Sequence, residues 1–247
     1  MKVFLSLTKQ SEATRTFREL AQLGLPTAEA RLAQTNGAAI RKIFSGSELD
    51  KLFLDKPSFL AWAGGLDGMA QRMTSGQVSS FRSTIDAASV VFIHSAVDAA
   101  VSDLCEVSAV HAPADWDPWL ANKRVSLSRT RGESYESLRA SELNMALETL
   151  KRESLLKRVD RIFALCQPSA NLELIHGYLF DRDRLEILDK IRHEIIHGAG
   201  ISTSIQNVDE ALEFLVRTGL HLFALINWKY DIKLDPALAF KLASDVA

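Results

Sequence analysis

The side chains with the greatest chemical potential lie in one short segment, DKIRHEIIHGAG, which covers residues 189–200. It places Arg192, His193, Glu194 and His197 close together on a predicted helix. A guanidinium stays charged and binds two phosphate oxygens at once, and an imidazole exchanges a proton near neutral pH. Two imidazoles on one helix face can instead bind a metal ion. The segment therefore favours either acid–base chemistry on an anionic substrate or metal chemistry.

The metal interpretation rests on the pattern HExxH, which runs here from His193 to His197. Residues four apart share a helix face, so both imidazoles can bind one Zn²⁺ while Glu194 acts as general base on the bound water. Gly200 fits the extended protease pattern, but Thr203 stands where that pattern has its third histidine. Proteases of this type usually place the motif helix behind a β-sheet, and the sequence has no strand candidate. A zinc-dependent hydrolase that uses His193 and His197 is thus a lesser alternative.

The second interpretation uses the arginine. Arg192 is followed by a polar residue, His193, and after a short interval by His197 near the expected end of the helix. This order resembles the signature of the HEPN family, which comprises helical nucleotide-binding and ribonuclease domains. The resemblance covers roughly residues 85–230, where three segments look like the family's first, third and last helices. They read VVFIHSAVDAAVSDL, DRDRLEILDKIRHEIIHG and NVDEALEFLVRTGLHLFALINW.

The resemblance implies a metal-independent endoribonuclease that needs no cofactor. RNA carries its own nucleophile, the 2′-hydroxyl, and His197 would take its proton or give one to the leaving 5′-oxygen. Arg192 would stabilise the additional negative charge of the transition state. The expected products are a 2′,3′-cyclic phosphate and a 5′-hydroxyl, whereas DNA should resist because it lacks the 2′-hydroxyl. The family also implies a homodimer with two motifs in one cleft, a toxin or defence setting and, in such a setting, a neutralising protein partner.

The spacing of the two proposed catalytic residues sets a condition on the helix that carries them. Arg192 and His197 are five residues apart, so on an ideal helix they point about 140° away from each other. They converge only if the helix ends or loosens near His197, as Gly198 allows. An intact motif also does not prove turnover, so a catalytically silent HEPN-like module that binds nucleotides, RNA or protein remains an alternative.

Three further residues are expected to support the motif. His193 would orient the substrate or contact a second phosphate. Asp98 lies where family members can carry an acidic residue facing the motif, although a solvated helix position fits it equally well. Glu194 is expected to pair with Lys190 on the solvent face rather than to take part in catalysis.

A basic segment follows two tryptophans in the irregular stretch 111–132. Its basic residues are Lys123, Arg124, Arg129 and Arg131. They could hold an RNA backbone while Trp116 or Trp119 stacks on a base. The slightly favoured alternative is a solvated loop whose tryptophans pack on the bundle.

Apolar residues recur at helical spacing through most of the chain, and no segment alternates with the period of two that is typical of strands. The expected helices cover residues 11–23, 27–44 with a turn or break at Asn36-Gly37, 47–54, 58–73, 85–107 and 135–166, with two more beginning at Asp181 and Asn207. These patterns predict an all-α fold. An antiparallel helical bundle is expected from residue 81, preceded by an N-terminal helical region, residues 1–80, of unknown role.

The composition fits an ordinary intracellular protein. With 47% hydrophobic residues and a net charge of −2, the chain can bury a sizeable core, and its charge does not demand nucleic acid. Cys105 and Cys166 show no CxxC spacing and are expected to be buried free thiols, which suits a reducing compartment. The N-terminus lacks the hydrophobic region of a signal peptide, and no uninterrupted apolar stretch reaches about 18 residues. We therefore expect a cytoplasmic protein without a membrane span.

Overall fold

A computed structural model describes residues 2–45, 64–120, 134–167, 180–197 and 207–231 of the chain. Every regular element in these ranges is helical, so the predicted all-α class is confirmed for the part of the chain that the structure describes. The α-helices are α1 (Lys2–Ser45), α2 (Gly65–His111), α3 (Asp117–Leu120), α4 (Tyr135–Leu150), α5 (Leu155–Cys166), α6 (Arg182–Ile196) and α7 (Val208–Tyr230). A short 3₁₀ helix, Pro113–Trp116, lies between α2 and α3.

Two compact units make up the chain. The smaller comprises Ala13–Ser89 and Ile201–Ile205, and the larger comprises Met1–Glu12, Val90–Gly200 and Gln206–Ala247. The border predicted between residues 80 and 81 lies inside α2, and this helix runs through it without a break.

In the smaller unit α1 and α2 run antiparallel and exchange polar contacts along their length. The Arg18 guanidinium lies 3.0 Å from the Asp86 carboxylate. The Asn36 amide nitrogen donates to Thr74 Oγ1 at 3.0 Å and to Gln77 Oε1 at 2.9 Å. The prediction of a turn at Asn36 was wrong, because the buried side chain of that residue finds its partners on α2.

The expected end of the first helix at Gly24 and Pro26 was also wrong. α1 continues from Lys2 to Ser45 with Pro26 inside it. A proline removes one helical hydrogen bond and clashes with the preceding turn. Leu25 is buried directly beside it, so tertiary packing outweighs the local preference.

The core of the larger unit is built on the C-terminal half of α2. Its predicted apolar stripe is buried, namely Val90, Ile93, Val97, Ala100, Val101 and Leu104, except for half-buried Val107. α5 packs against both α6 and α7. Both free cysteines, Cys105 and Cys166, are buried as predicted.

The long helix predicted over residues 135–166 is two helices. α4 ends at Leu150, and α5 begins after Ser154, whose hydroxyl accepts a hydrogen bond from the Lys157 N–H. Serine in this position satisfies one of the free N–H groups of a helix start. The break allows the strongly amphipathic α5 to turn Leu155, Val159 and Ile162 into the core.

α2 is the one helix within the described ranges that is long and apolar enough to cross a membrane. Half of its most apolar stretch is buried inside the protein. The helix also carries His94 and Asp98, which have charged partners on other helices. A core helix passes the same test of length and composition, so the feature by itself does not indicate a membrane.

Candidate functional site

The candidate site lies at the C-terminal end of α6. Asp181 caps the start of this helix and accepts a hydrogen bond from the Arg184 N–H at 2.9 Å, as the sequence predicts. Leu185 and Leu188 are buried and hold the helix on the core. The motif follows on the last turn of the helix, so its side chains are carried by an anchored element rather than by a loop.

The helix ends at the last residue of the predicted motif. Ile196 is its last residue, and His197 has φ −90° and ψ 9°, outside the α-helical region. The His197 N–H still donates to the His193 carbonyl oxygen at 3.0 Å. The helix therefore ends near His197, as expected, but this bond keeps His197 in helical register with His193, and no hydrogen bond or ring contact joins Arg192 to His197 among the described residues. Gly198 lies outside the described residues.

The structure brings His193 and His197 together. Their ring centroids are 4.2 Å apart, the ring planes are tilted by 50°, and both side chains are exposed. Within the described ranges, no group of three His, Cys, Asp or Glu residues could hold a metal ion. The described residues thus supply two of the ligands that a zinc hydrolase needs, and residues 200 and 203 lie outside those ranges.

Arg192 occupies a different environment from the two histidines. Its side chain is half-buried, and its Nε is buried without a hydrogen-bond partner among the described residues. Its positive charge acts on Asp189, which lies one turn earlier on α6. Among the described residues, the interaction of Arg192 is thus the electrostatic one with the Asp189 carboxylate.

Asp189 lies beside the motif and was not among the residues predicted from the sequence. Its carboxylate lies 2.8 Å from Nε2 of His94, a fully buried residue of α2. Burial alone would raise the pKa of Asp189, but the hydrogen bond and charge of His94, together with the charges of Arg192 and Arg158, outweigh it and lower that pKa. The carboxylate therefore stays ionised beside Arg192. Its position three residues before Arg192, which places the two side chains on neighbouring parts of one helix surface, could have indicated this proximity from the sequence.

Asp98 faces α5 and forms an ion pair with Arg158. Arg158 is only 4% exposed and also donates to Ser102 Oγ at 2.6 Å. His94, Asp98 and Ser102 lie along one side of α2 and contact residues of α5 and α6. Asp98 has a structural partner, and the idea that it also supports the motif stays a prediction.

Glu194 is exposed, as expected, but the prediction that it pairs with Lys190 was wrong. Lys190 instead lies 3.0 Å from Glu186. This pair has the acidic residue four positions before the basic one, which is the more favourable orientation on a helix.

The tryptophans of the irregular stretch pack on the protein. Trp116 is 1% exposed and donates from its indole N–H to Ser108 Oγ at 3.2 Å. Trp119 meets the edge of Trp116, and the Arg161 guanidinium covers its ring at 4.2 Å. Trp116 cannot stack on a base in this position. The four basic residues Lys123, Arg124, Arg129 and Arg131 lie outside the described residues.

Comparisons of the chain with models of protein families, with characterised proteins and with solved structures find no match. The geometry of α6 and its surroundings is therefore the basis for any statement about function.

Proposed function

We propose that the protein is an endoribonuclease of the HEPN type, with Arg192 and His197 as its catalytic residues. The observation that carries the proposal is the end of α6 at His197, which leaves an exposed imidazole directly after the helical turn that bears the half-buried Arg192. An imidazole can move a proton to or from RNA at neutral pH. A guanidinium can stabilise the charge that develops on the phosphate.

The ion pairs behind the motif support this assignment. Arg192 follows Asp189, which is held by His94, and the neighbouring Asp98 is held by Arg158. A phosphate-binding arginine works best when its surroundings fix its orientation before the substrate arrives. The negative charge of Asp189 would attract the Arg192 guanidinium and so favour one orientation of that side chain.

A homodimer is part of the proposal. One chain presents His193 and His197 as neighbours, and a second copy would add another arginine and another pair of imidazoles to the same cleft. Ile187 and Ile196 on α6 are 56% and 50% exposed, so apolar surface close to the motif is available for a partner to cover. Light scattering of the purified protein would give the expected mass of two chains.

The decisive experiment is an RNA cleavage assay with the purified protein and the His197→Ala variant, in excess EDTA and with a DNA strand of the same sequence. We expect RNA cleavage that survives EDTA, leaves 2′,3′-cyclic phosphate and 5′-hydroxyl ends, spares DNA and falls at least about a hundredfold in the variant. His111→Ala is the matched control, since His111 is an exposed histidine at the far end of α2.

Other results would point to the alternatives. Absence of cleavage, together with saturable RNA binding, would identify a catalytically silent RNA-binding module. Activity that EDTA abolishes would favour a zinc-dependent hydrolase at His193 and His197. We place the enzyme in the cytoplasm, in a toxin or defence role, where a protein partner that covers the end of α6 would neutralise it.

A further inference from the structure

His193 and His197 form a pair of neighbouring imidazoles that the proposed cleavage reaction does not need as a pair. Both are exposed, and their ring centroids are 4.2 Å apart. Neither has a charged or hydrogen-bonding side-chain partner among the described residues. In their neutral forms both therefore keep a ring nitrogen lone pair that is open to a ligand.

We propose that this pair is a reversible binding site for a borderline transition-metal cation of the Zn²⁺ class, and that the bound cation inhibits the proposed ribonuclease. Neutral imidazole is a preferred ligand of such cations, and nitrogen donors bind them far better than they bind Mg²⁺ or Ca²⁺. Two imidazoles one helical turn apart are already placed side by side, so little ordering is needed on binding.

The number of ligands argues for an exchangeable ion rather than a structural one. Structural zinc sites close all four positions with protein ligands. The described residues contribute two and offer no group of three, so water completes the coordination. Such a site should load and empty with the free concentration of the metal, and its occupancy should leave the fold unchanged.

Inhibition follows from the identity of the ligands and rests on the proposed function. Proton transfer by His197 needs the lone pair, or the proton, of its ring nitrogens. A cation bound to that ring occupies the lone pair and competes with the proton. The bound charge would also draw the scissile phosphate away from Arg192. The metal therefore acts as a switch on the active site rather than as part of the reaction.

Binding is tested by isothermal titration calorimetry of the full chain, free of any histidine tag, with Zn²⁺ and with Mg²⁺. We expect saturable Zn²⁺ binding at one ion per chain and none with Mg²⁺. His193→Ala and His197→Ala should each weaken Zn²⁺ binding at least about tenfold, while the control His111→Ala should bind as the unchanged protein does. No binding, or binding that survives both substitutions, would overturn the site.

Inhibition is tested separately by RNA cleavage across the same range of free Zn²⁺. Cleavage that falls as the site fills and returns with EDTA supports the proposal, as does a His193→Ala variant whose remaining activity no longer responds to Zn²⁺. Stimulation by Zn²⁺ would overturn it in favour of a zinc hydrolase. If calorimetry shows the site and no RNA is cleaved in any condition, the metal site stands and the ribonuclease fails.

Discussion

His94 Nε2 lies 2.8 Å from the carboxylate of Asp189. This contact joins a buried residue of α2 to α6, the helix that carries the motif. His94 is fully buried, whereas the Asp189 side chain is 19% exposed. The pair therefore joins a residue of the protein interior to a partly exposed residue of α6. Asp189 also lies three residues before Arg192, whose positive charge acts on its carboxylate.

Replacement of Asp189 should lower stability in a way that depends on pH. The hydrogen bond and charge of His94 outweigh burial and hold the pKa of Asp189 below its usual value of about 3.9. The ionised carboxylate thus adds stability above that pH, and this contribution is lost as the pH falls through the lower folded-state pKa. Asp189→Asn should cost about 1–3 kcal/mol at neutral pH.

Urea unfolding of both proteins near neutral pH and well below pH 3.9, at about pH 2.5, checks this, because the difference in unfolding free energy should narrow only below the usual carboxyl pKa. Asp181→Asn is a suitable control because asparagine also caps a helix start. A constant difference at both pH values would show that the charge of Asp189 is not what stabilises the fold.

The ion pair between Asp98 and Arg158 should show strong coupling in a double-mutant cycle. Arg158→Met leaves the half-buried Asp98 charge without its partner and should cost about 3–5 kcal/mol. Asp98→Asn combined with Arg158→Met should recover part of that loss, because no unpaired charge then remains. Thermal or urea unfolding measures all four proteins. Additive losses would mean that the two side chains do not stabilise one another.

Arg192→Lys should remove most of the proposed activity while the protein stays folded. Lysine keeps the charge but loses the planar fork that binds two phosphate oxygens. We expect RNA cleavage to fall about 10²-fold or more. Arg217→Lys, on an exposed arginine of α7 paired with Glu213, is the matched control. Equal cleavage by both variants would remove Arg192 from the active site.

Both cysteines should resist thiol reagents in the folded protein. Burial raises the pKa of the Cys105 thiol to about 12 and that of Cys166 to about 11. Because the thiolate is the reactive form, little of either cysteine can react at neutral pH. A chromogenic disulfide reagent should detect almost no thiol in the native protein and both thiols in denaturant. Rapid labelling of the native state would contradict the buried positions.

A larger residue at Gly219 should lower the stability of the protein unless Leu7 is replaced by a smaller residue. A Cβ atom at Gly219 would lie 2.6 Å from Leu7 Cδ2 and 3.7 Å from the methyl groups of Val97. Gly219→Ala should therefore cost about 1–3 kcal/mol through overpacking. Leu7→Ala alone opens a cavity, and the double variant should lose less stability than the two single losses added together. A calorimetric melt of the three variants measures this.

The parts of the fold that depend on neighbouring residues could be predicted from the sequence. Asp181 and Asn207 each accept the N–H of the residue three positions on, a local hydrogen bond that the residue type and position indicate. The apolar stripe of α2 was predicted correctly for the same reason, since helical spacing alone fixes which residues share a face. The break at Ser154 had a local signal as well, the same type of cap, which the continuous apolar pattern concealed.

The remaining features depend on contacts between residues far apart in the chain. Nothing near Pro26 indicates that packing will carry a helix through it. An arginine is usually exposed, so burial of Arg158 could not be expected without knowing that Asp98 and Ser102 face it. The contact between His94 and Asp189 could not be predicted either, because it joins two residues that are far apart in the chain. The motif residues could be proposed from the sequence because their chemistry depends on residue type and short spacing, and their role stays a prediction.

The chain passes from one compact unit to the other after Glu12 and after Ser89, and both positions lie inside helices, α1 and α2. A cut at either place would expose a fresh helix end with unsatisfied N–H and carbonyl groups. Proteases need an extended, accessible strand of backbone, so neither place is a ready cleavage site. Truncations designed at these borders would interrupt the continuous hydrogen bonding of α1 or of α2, the helix that carries Val90 and His94.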